Sequence, residues 1–440
     1  MFNDFRRRAP VETDPTRMCE LLVGLPDVTV LGMDDETNGP LSIHVQTRAR
    51  RPGCTTCGVL AWVKDRPVVV LVDLPVFGRA VRLVWHKFRW YCGEPTCLGG
   101  SWTEDEPRIA NHRMALSDRA GRWVTEQVGR HARSINEIAI ELGCDWHTVN
   151  DTVMAYGTAL LDDPDRFGDV EALGLDEVLF ARLGTYRTPN FSTQLVDVQR
   201  GQLLDVVEGK KAEGPRTWLE NKGEEWLSKV RYATLDLSAT YKSVFDATVP
   251  DAVQVADPFH VVKHATFQLD QCRRRVQQDL LGHRGRKGDP LFRARRLLAK
   301  AHERLDERGN EKLTGLLKAG DPKGQVRMAW LAKESVRELY SHSDAELALC
   351  FVDELVSDMT DKDMPTEVRS LGRTLKRWRL QIAAWHTAHV TNGPTEAVNN
   401  LIKRVKRAAF GFTNFANYRI RSLLYAGKPN WSLLATVRPR

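Results

Sequence analysis

The chain has 440 residues, a hydrophobic fraction of 42 %, a net charge of +7 and a sequence pI near 9.0. This length predicts roughly two to four domains, and the basic balance favours a polyanionic partner. No stretch of about 18 apolar residues exists, which excludes a transmembrane helix, and Met1–Arg8 is not followed by the apolar region of a signal peptide. We therefore expect a reduced, cytoplasmic protein without a membrane partner.

Residues 1–47 form an N-terminal segment with one helical and one strand-like pattern, and residues 48–106 carry two cysteine pairs. Strands are predicted at Val68–Val72 and Ala80–Trp85. Two ligand pairs on two turns are typical of a tetrahedral four-thiolate site. Residues 48–106 are thus predicted to be a zinc ribbon holding one structural Zn²⁺, and the disulfide alternative is disfavoured in the cytoplasm. The predicted ligands are Cys54, Cys57, Cys92 and Cys97.

Residues 107–165 change to helical spacing and predict two short helices joined by a turn. Ser134 and Glu137 have the spacing of a capping box, Gly143 interrupts the first helix, and Asp145 can cap a second helix that runs to about Ala155. This predicts a helix-turn-helix domain whose second helix is placed for a major groove; a plain three-helix bundle is the alternative. The residues predicted to face outward and contact DNA are Trp146, His147, Thr148 and Asn150.

Residues 166–262 predict three strands, a helix from Gly214 to about Lys229, a strand, a helix and a last strand. That order is typical of an RNase H-like fold, in which the first and fourth strands lie side by side at the sheet centre. Asp176 and Asp236 fall on those two strands, inside apolar runs where an ionised carboxylate is costly unless it is paired or holds a cation. The predicted strands are Leu173–Phe180, Phe191–Val198, Leu203–Val207, Arg231–Leu237 and Ala252–Ala256.

Residues 263–385 predict an Arg-rich helical region with an exposed loop at 282–288, and residues 386–440 a basic helical unit. From Ala397 to Arg440 there are nine Lys or Arg and no acid, which favours contact with nucleic acid. Glu396 opens a helix and begins a polar stripe, although an acid near the start of a solvated helix is the simpler alternative. The stripe is Glu396, Asn399, Asn400, Lys403 and Arg407, opposite an apolar face of Val398, Leu401, Ile402 and Val405; the DNA-binding cations are Lys403, Arg404, Lys406 and Arg407.

The chain resembles the DDE insertion-sequence transposases of the ISL-three group from Cys54 to about Leu424. The likeness is carried by the cysteine pairs and by five further segments: Gly174–Glu177, Leu235–Tyr241, Asp257–Lys263, Asn392–Asn400 and Ile402–Phe415. The resemblance implies that Asp176, Asp236 and Glu396 are the catalytic acids and hold two Mg²⁺ or Mn²⁺ ions, with 263–385 as an insertion. Asp257 is the second choice as a metal ligand. His260 either orients a carboxylate, touches a phosphate or is a core histidine.

The expected fold is therefore multidomain α+β, with a zinc ribbon, a helix-turn-helix and an RNase H-like mixed-sheet core interrupted by an all-α insertion. The expected function is cleavage of element ends at terminal inverted repeats and their joining to target DNA, by a homodimer or higher oligomer at the nucleoid. A transposase-derived DNA-binding regulator without catalysis and a recombination-accessory protein remain open alternatives.

Overall fold

The computed structural model describes residues 12–37, 39–341 and 344–439. The expectation that Met1–Arg8 is no signal peptide lies outside these residues. The chain forms two compact units: one joins the residues up to 166 to those from 402 onward, and the other comprises residues 167–401. In the described part of the chain, no helix has both the length and the apolar character needed to cross a bilayer.

The first unit begins with a helix and a four-stranded sheet of order β1-β2-β5-β4. The sequence predicted one strand before residue 48, whereas the structure has two. Moreover β4 and β5 lie inside the predicted ribbon segment, but β4 pairs with β5 and β5 pairs with β2, and neither pairs with the strands of the cysteine-bearing sheet. They do so because Ile43 and Val45 give β2 a buried face. The elements are α1 Pro15–Val23, β1 Val28–Asp35, β2 Leu41–Thr47, β4 Val68–Val76 and β5 Arg79–His86.

A separate antiparallel sheet of three short strands carries the cysteine turns. Its strands are β3 Trp62–Asp65, β6 Arg89–Tyr91 and β7 Ser101–Thr103. The buried apolar residues beneath it are Ala61, Phe88 and Trp90, a core too small to support much stability by burial alone.

Four helices of the first unit pack around one apolar core. The predicted capping box on Ser134 and Glu137 is confirmed, and Gly143 ends α3 in the left-handed conformation (φ 61°). Asp145 caps α4, which continues past the predicted end at Ala155 because Tyr156 and Leu160 remain buried. The helices are α2 Asp118–Gly129, α3 Ile135–Leu142, α4 Trp146–Leu161 and α15 Phe415–Ala426.

The second unit contains a five-stranded mixed sheet of order β10-β9-β8-β11-β12. The first and fourth strands of this region, β8 and β11, are parallel neighbours, as the sequence predicted. The predicted helix from Gly214 to Lys229 is wrong: Gly223 adopts φ 80° and divides it into two. The elements are β8 Ala172–Leu183, β9 Thr188–Asp197, β10 Gln202–Glu208, α5 Glu213–Glu220, α6 Glu224–Leu227, β11 Tyr232–Leu235, α7 Ala239–Thr248 and β12 Val253–Ala256.

Helices follow the last strand without interruption by further strands in the described residues. The predicted exposed loop at 282–288 separates α8 from α9. One further helix, α14 Gly393–Ala408, brings the chain back towards the sheet. The others are α8 Pro258–Leu281, α9 Pro290–Ala299, α10 Glu307–Gly320, α11 Gln325–Glu338, α12 Ala345–Thr360 and α13 Thr366–Ala388.

Candidate active site and metal centre

The four predicted zinc ligands meet at one point of the three-stranded sheet. Their sulfur atoms all lie within 4.8 Å of one another, with 3.7 Å between Cys54 and Cys97 and 3.4 Å between Cys57 and Cys92. No disulfide joins these four cysteines, and the meeting of all four sulfurs at one point favours a thiolate site. Backbone N–H groups, first that of Cys57, lower the pKa of the Cys54 thiol to about 6. A closed set of four thiols fits a structural zinc ion.

Asp176 and Asp236 lie side by side on the central strands of the second unit. Gly174 of β8 is in register with Thr234 of β11, and each acid lies two residues further along its strand direction. Asp236 comes directly after the end of β11. Burial and then the charge of Asp176 raise the pKa of Asp236 to about 6, and its Oδ1 atom is buried without a hydrogen-bond partner. The Asp236 carboxyl group is therefore held close to a second acid, with one oxygen left unsatisfied.

Helix α14 contacts this acid pair through Asn399. The Asn399 side chain is buried, and its Nδ2 donates a hydrogen bond of 2.6 Å to Asp176 Oδ2. Glu396 lies one turn earlier on the same helix and is exposed. Within the described residues, only the cysteine cluster gathers three or more potential metal ligands closely. The structure therefore brings two of the three acids together and leaves the third on a helix tied to one of them.

The start of α14 is anchored to the sheet by residues around Asn392. The backbone N–H of Asn392 donates to Asp257 Oδ1 at 3.0 Å, and Thr234 Oγ1 donates to Asn392 Oδ1 at 3.1 Å. Asp257, the second-choice ligand, is thus buried as an acceptor for the chain entering α14. Gly174 permits this approach, since a Cβ there would lie 2.8 Å from Asn392 Oδ1 and would collide with Thr395 Oγ1.

The sequence reasoning missed the functions of Asn392 and Asn399. It placed Asn399 on the polar stripe that begins with Glu396, but it did not predict that the Asn399 side chain would be buried and hydrogen-bonded to Asp176. The spacing of three residues from Glu396 was the available signal. The apolar face is confirmed for Val398, Ile402 and Val405, whereas Leu401 is exposed.

His260 lies beside the acid pair. Its Nδ1 is 3.8 Å from Asp236 Oδ2, and when protonated it opposes the rise in the Asp236 pKa. Of the alternatives left open by the sequence, this position favours a histidine that acts on a carboxylate.

The second helix of the helix-turn-helix exposes some of its predicted contacts. Trp146 and His147 are exposed. Thr148 is half-buried, and its backbone N–H and its hydroxyl donate to the Asp145 carboxylate that caps the helix. The outward placement of Asn150 is wrong: it is only 7 % exposed, because the segment following α14 lies over it, and its amide donates to Asp151.

The predicted cations occupy the second half of α14. Lys403, Arg404 and Arg407 are exposed. Lys406 is half-buried, and its burial and then the charge of Lys403 lower the pKa of its ammonium group.

The chain is similar in sequence to known transposases over the segment that contains the three acids. A family model described as "Transposase" matches residues 173–422, more than half of the chain. The chain is 29 % identical to the transposase for insertion sequence element IS1557 of Mycobacterium tuberculosis over 338 residues, which cover 72 % of each protein. It is 24 % identical to the transposase for insertion sequence element IS1001 of Bordetella parapertussis over 375 residues, 84 % of this chain and 88 % of the relative. The family match includes all three acids.

Proposed function

Since the chain belongs to the ISL-three group of DDE transposases, we propose that it binds the terminal inverted repeats of an insertion sequence, cleaves the ends and joins them to target DNA. Asp176, Asp236 and Glu396 are the proposed catalytic acids, on a core of RNase H-like topology. The observation that carries this proposal is the register of β8 and β11, which sets two carboxylates side by side with a buried, unpartnered oxygen.

The donor set fits a divalent metal. Asp176 and Asp236 would hold it, and Glu396 would complete the site from α14, because Mg²⁺ and Mn²⁺ prefer oxygen ligands. Bound divalent ions supply Lewis-acid activation of the attacking water or 3′-hydroxyl and stabilise the leaving 3′-oxygen. A buried carboxylate with a raised pKa and one unpartnered oxygen would be stabilised in its ionised form by such a cation.

Neighbouring side chains position the proposed catalytic acids. Asn399 fixes the orientation of the Asp176 carboxylate and couples it to the helix of Glu396. His260 favours the ionised form of Asp236. Asp257 and Asn392 hold the start of that helix against the sheet. A change in any of these would alter the acid geometry before it altered DNA binding.

DNA binding is proposed for two surfaces. Trp146, His147 and Thr148 at the start of α4 would reach base edges in the major groove, and the cations of α14 would contact phosphates. Asn150 is left out of the base-contact set because it is buried. The cysteine cluster would bind one structural Zn²⁺. Cutting two element ends calls for a homodimer or higher oligomer on DNA at the nucleoid.

A regulator without catalysis is the second candidate function. It is favoured by the exposure of Glu396 outside a closed ligand cluster in the described residues. The two functions share DNA binding and differ only in metal-dependent cleavage.

The deciding experiment is cleavage of end DNA with Mg²⁺ by three amide variants. Asp176→Asn, Asp236→Asn and Glu396→Gln should each lose cleavage by at least about 100-fold, as expected when electrostatic stabilisation of a transition state is removed, and should keep end binding. Glu171→Gln is the matched control, since Glu171 is a half-buried acid paired with Arg231 outside the acid pair. Wild-type cleavage by Glu396→Gln would remove Glu396 from the site, and absence of cleavage by the wild-type protein would favour the regulator.

A further inference from the structure

A pocket in the first unit lies where the N-terminal ends of three helices converge. Its cavity of about 160 Å³ is bounded by the starts of α3, α4 and α15 and by the loop that follows α14. None of the described residues lining it is Asp or Glu. The side-chain caps satisfy one N–H group at the start of each helix. The remaining N–H groups and the partial positive charge of the three N-termini favour an anion here.

Arg421 supplies a second and independent indication. Its side chain lines the pocket and is only 4 % exposed, yet its Nε and Nη2 atoms are buried without a hydrogen-bond partner. The ring of Phe412 lies 5.1 Å from its guanidinium carbon. Burial lowers the pKa of this guanidinium to about 10. A buried cation without a counter-charge is costly, and an anion in the pocket would offset that cost.

The rim of the pocket distinguishes a nucleic acid from a small free anion. Phe410 is 94 % exposed and has φ 55°, a left-handed conformation that is unfavourable for a bulky residue. The next residue, Gly411, has φ 103°. An exposed ring held in this way offers a surface on which a base can stack, whereas a free phosphate would not use it.

We propose that this pocket binds a phosphate of the DNA backbone through Arg421, and that Phe410 stacks on a neighbouring base. Asn150, which is buried in the wall, then serves this phosphate site and does not read a base. The proposal rests on the proposed DNA-binding function and deepens it, because it assigns a phosphate contact to a residue that the basic stripe of α14 does not include.

The first test compares Arg421→Met with Arg130→Met, a control at an exposed arginine that directly follows α2 and is paired with Glu126. Arg421→Met should flatten the salt dependence of duplex binding by about 0.9, the contribution of one phosphate contact. Its melting temperature should stay equal or rise, because a buried unpaired charge is removed. The control should keep the slope. A lower melting temperature with an unchanged slope would show that Arg421 is only structural and would overturn the proposal.

The second test uses inorganic phosphate and a variant that preserves the core. Asn417→Asp adds a negative charge to the pocket wall in the first turn of α15, where an acid favours the helix. Phosphate should raise the melting temperature of the wild type and not that of Arg421→Met or Asn417→Asp. Equal stabilisation of all three proteins would overturn the site. Phosphate binding lost in both variants with an unchanged DNA slope would overturn the assignment to DNA.

The rise in melting temperature with phosphate tests the pocket independently of the proposed function. Phosphate stabilisation requires neither element ends nor cleavage, so a protein that never cut DNA would still show it. If the wild-type protein did not cleave DNA while the salt slope still differed between Arg421→Met and Arg130→Met, the assignment of the catalytic acids would fail and the assignment of the pocket would stand.

Discussion

The cysteine cluster is built from turns of one small sheet, whereas the acidic site is built from segments that lie far apart in the chain. The four cysteines come from two turns of one small sheet, and backbone N–H groups already donate to the sulfurs of Cys54 and Cys97. The acids come from a strand, a strand end and a distant helix, and only two of them lie together. A site that is closed by local turns can stabilise its own domain, whereas a site that collects distant segments keeps ligand positions open for substrate.

The largest expected effect is on the cysteine side of this comparison. Cys54→Ser or Cys97→Ser should lose one equivalent of zinc and unfold the three-stranded sheet, because structural zinc supplies about 10–16 kcal/mol in zinc-finger peptides. Metal analysis measures the zinc content, and the rate of proteolysis within residues 48–106 measures the unfolding. Cys350→Ser is the control, since Cys350 is an exposed cysteine outside the cluster. Wild-type protein purified without chelators and free of zinc would contradict the assignment.

The sequence predicted the cysteine cluster because the spacing within each cysteine pair is local. It placed Asp176 and Asp236 together because the order of strands and helices is typical of a sheet in which the first and fourth strands are neighbours. It did not predict Asn399 as a partner of Asp176, since only the packing of α14 brings those residues together. Asn150 was misplaced for a related reason: the covering segment lies more than 250 residues later in the chain. Burial by a distant segment leaves no trace in the periodicity of a single helix.

On the acidic side, stability should depend on pH in a way that Asp236 controls. Its folded pKa of about 6 exceeds the ordinary 3.8, so the unfolded chain releases this proton first as the pH rises. The free energy of unfolding of the metal-free protein should therefore fall by about 3 kcal/mol between about pH 4 and pH 6 and should not recover through this group at higher pH. The difference between wild-type and Asp236→Asn unfolding curves across pH isolates this contribution.

Mg²⁺ sharpens this test. At pH 7 it should stabilise the wild type, because a cation compensates the buried carboxylate, and should leave Asp236→Asn almost unchanged. Identical pH profiles for the two proteins would show that folding does not disfavour the ionised form of Asp236. The acidic site would then not differ from the cysteine cluster in needing a cation to offset a buried charge.

The smallest expected effect tests the approach of α14 to the sheet. In Gly174→Ala the added Cβ would lie 2.6 Å from Val198 and would press on Asn392 and Thr395. Overpacking of this kind costs about 1–3 kcal/mol. We expect the start of α14 to move outward, the bond from Asn399 to Asp176 to lengthen, and cleavage to slow while end binding persists.

Gly315→Ala provides the matched comparison, because Gly315 lies inside α10 with no atom within 4 Å of an added Cβ. That change should raise stability by up to about 1 kcal/mol, since alanine is the better helix former, and should leave cleavage untouched. Chemical denaturation and single-turnover cleavage of end DNA separate the two glycines. If Gly174→Ala kept both wild-type stability and wild-type cleavage, the acid geometry would not depend on close contact between β8 and α14. Asp176 and Glu396 would then have to be brought together by DNA itself.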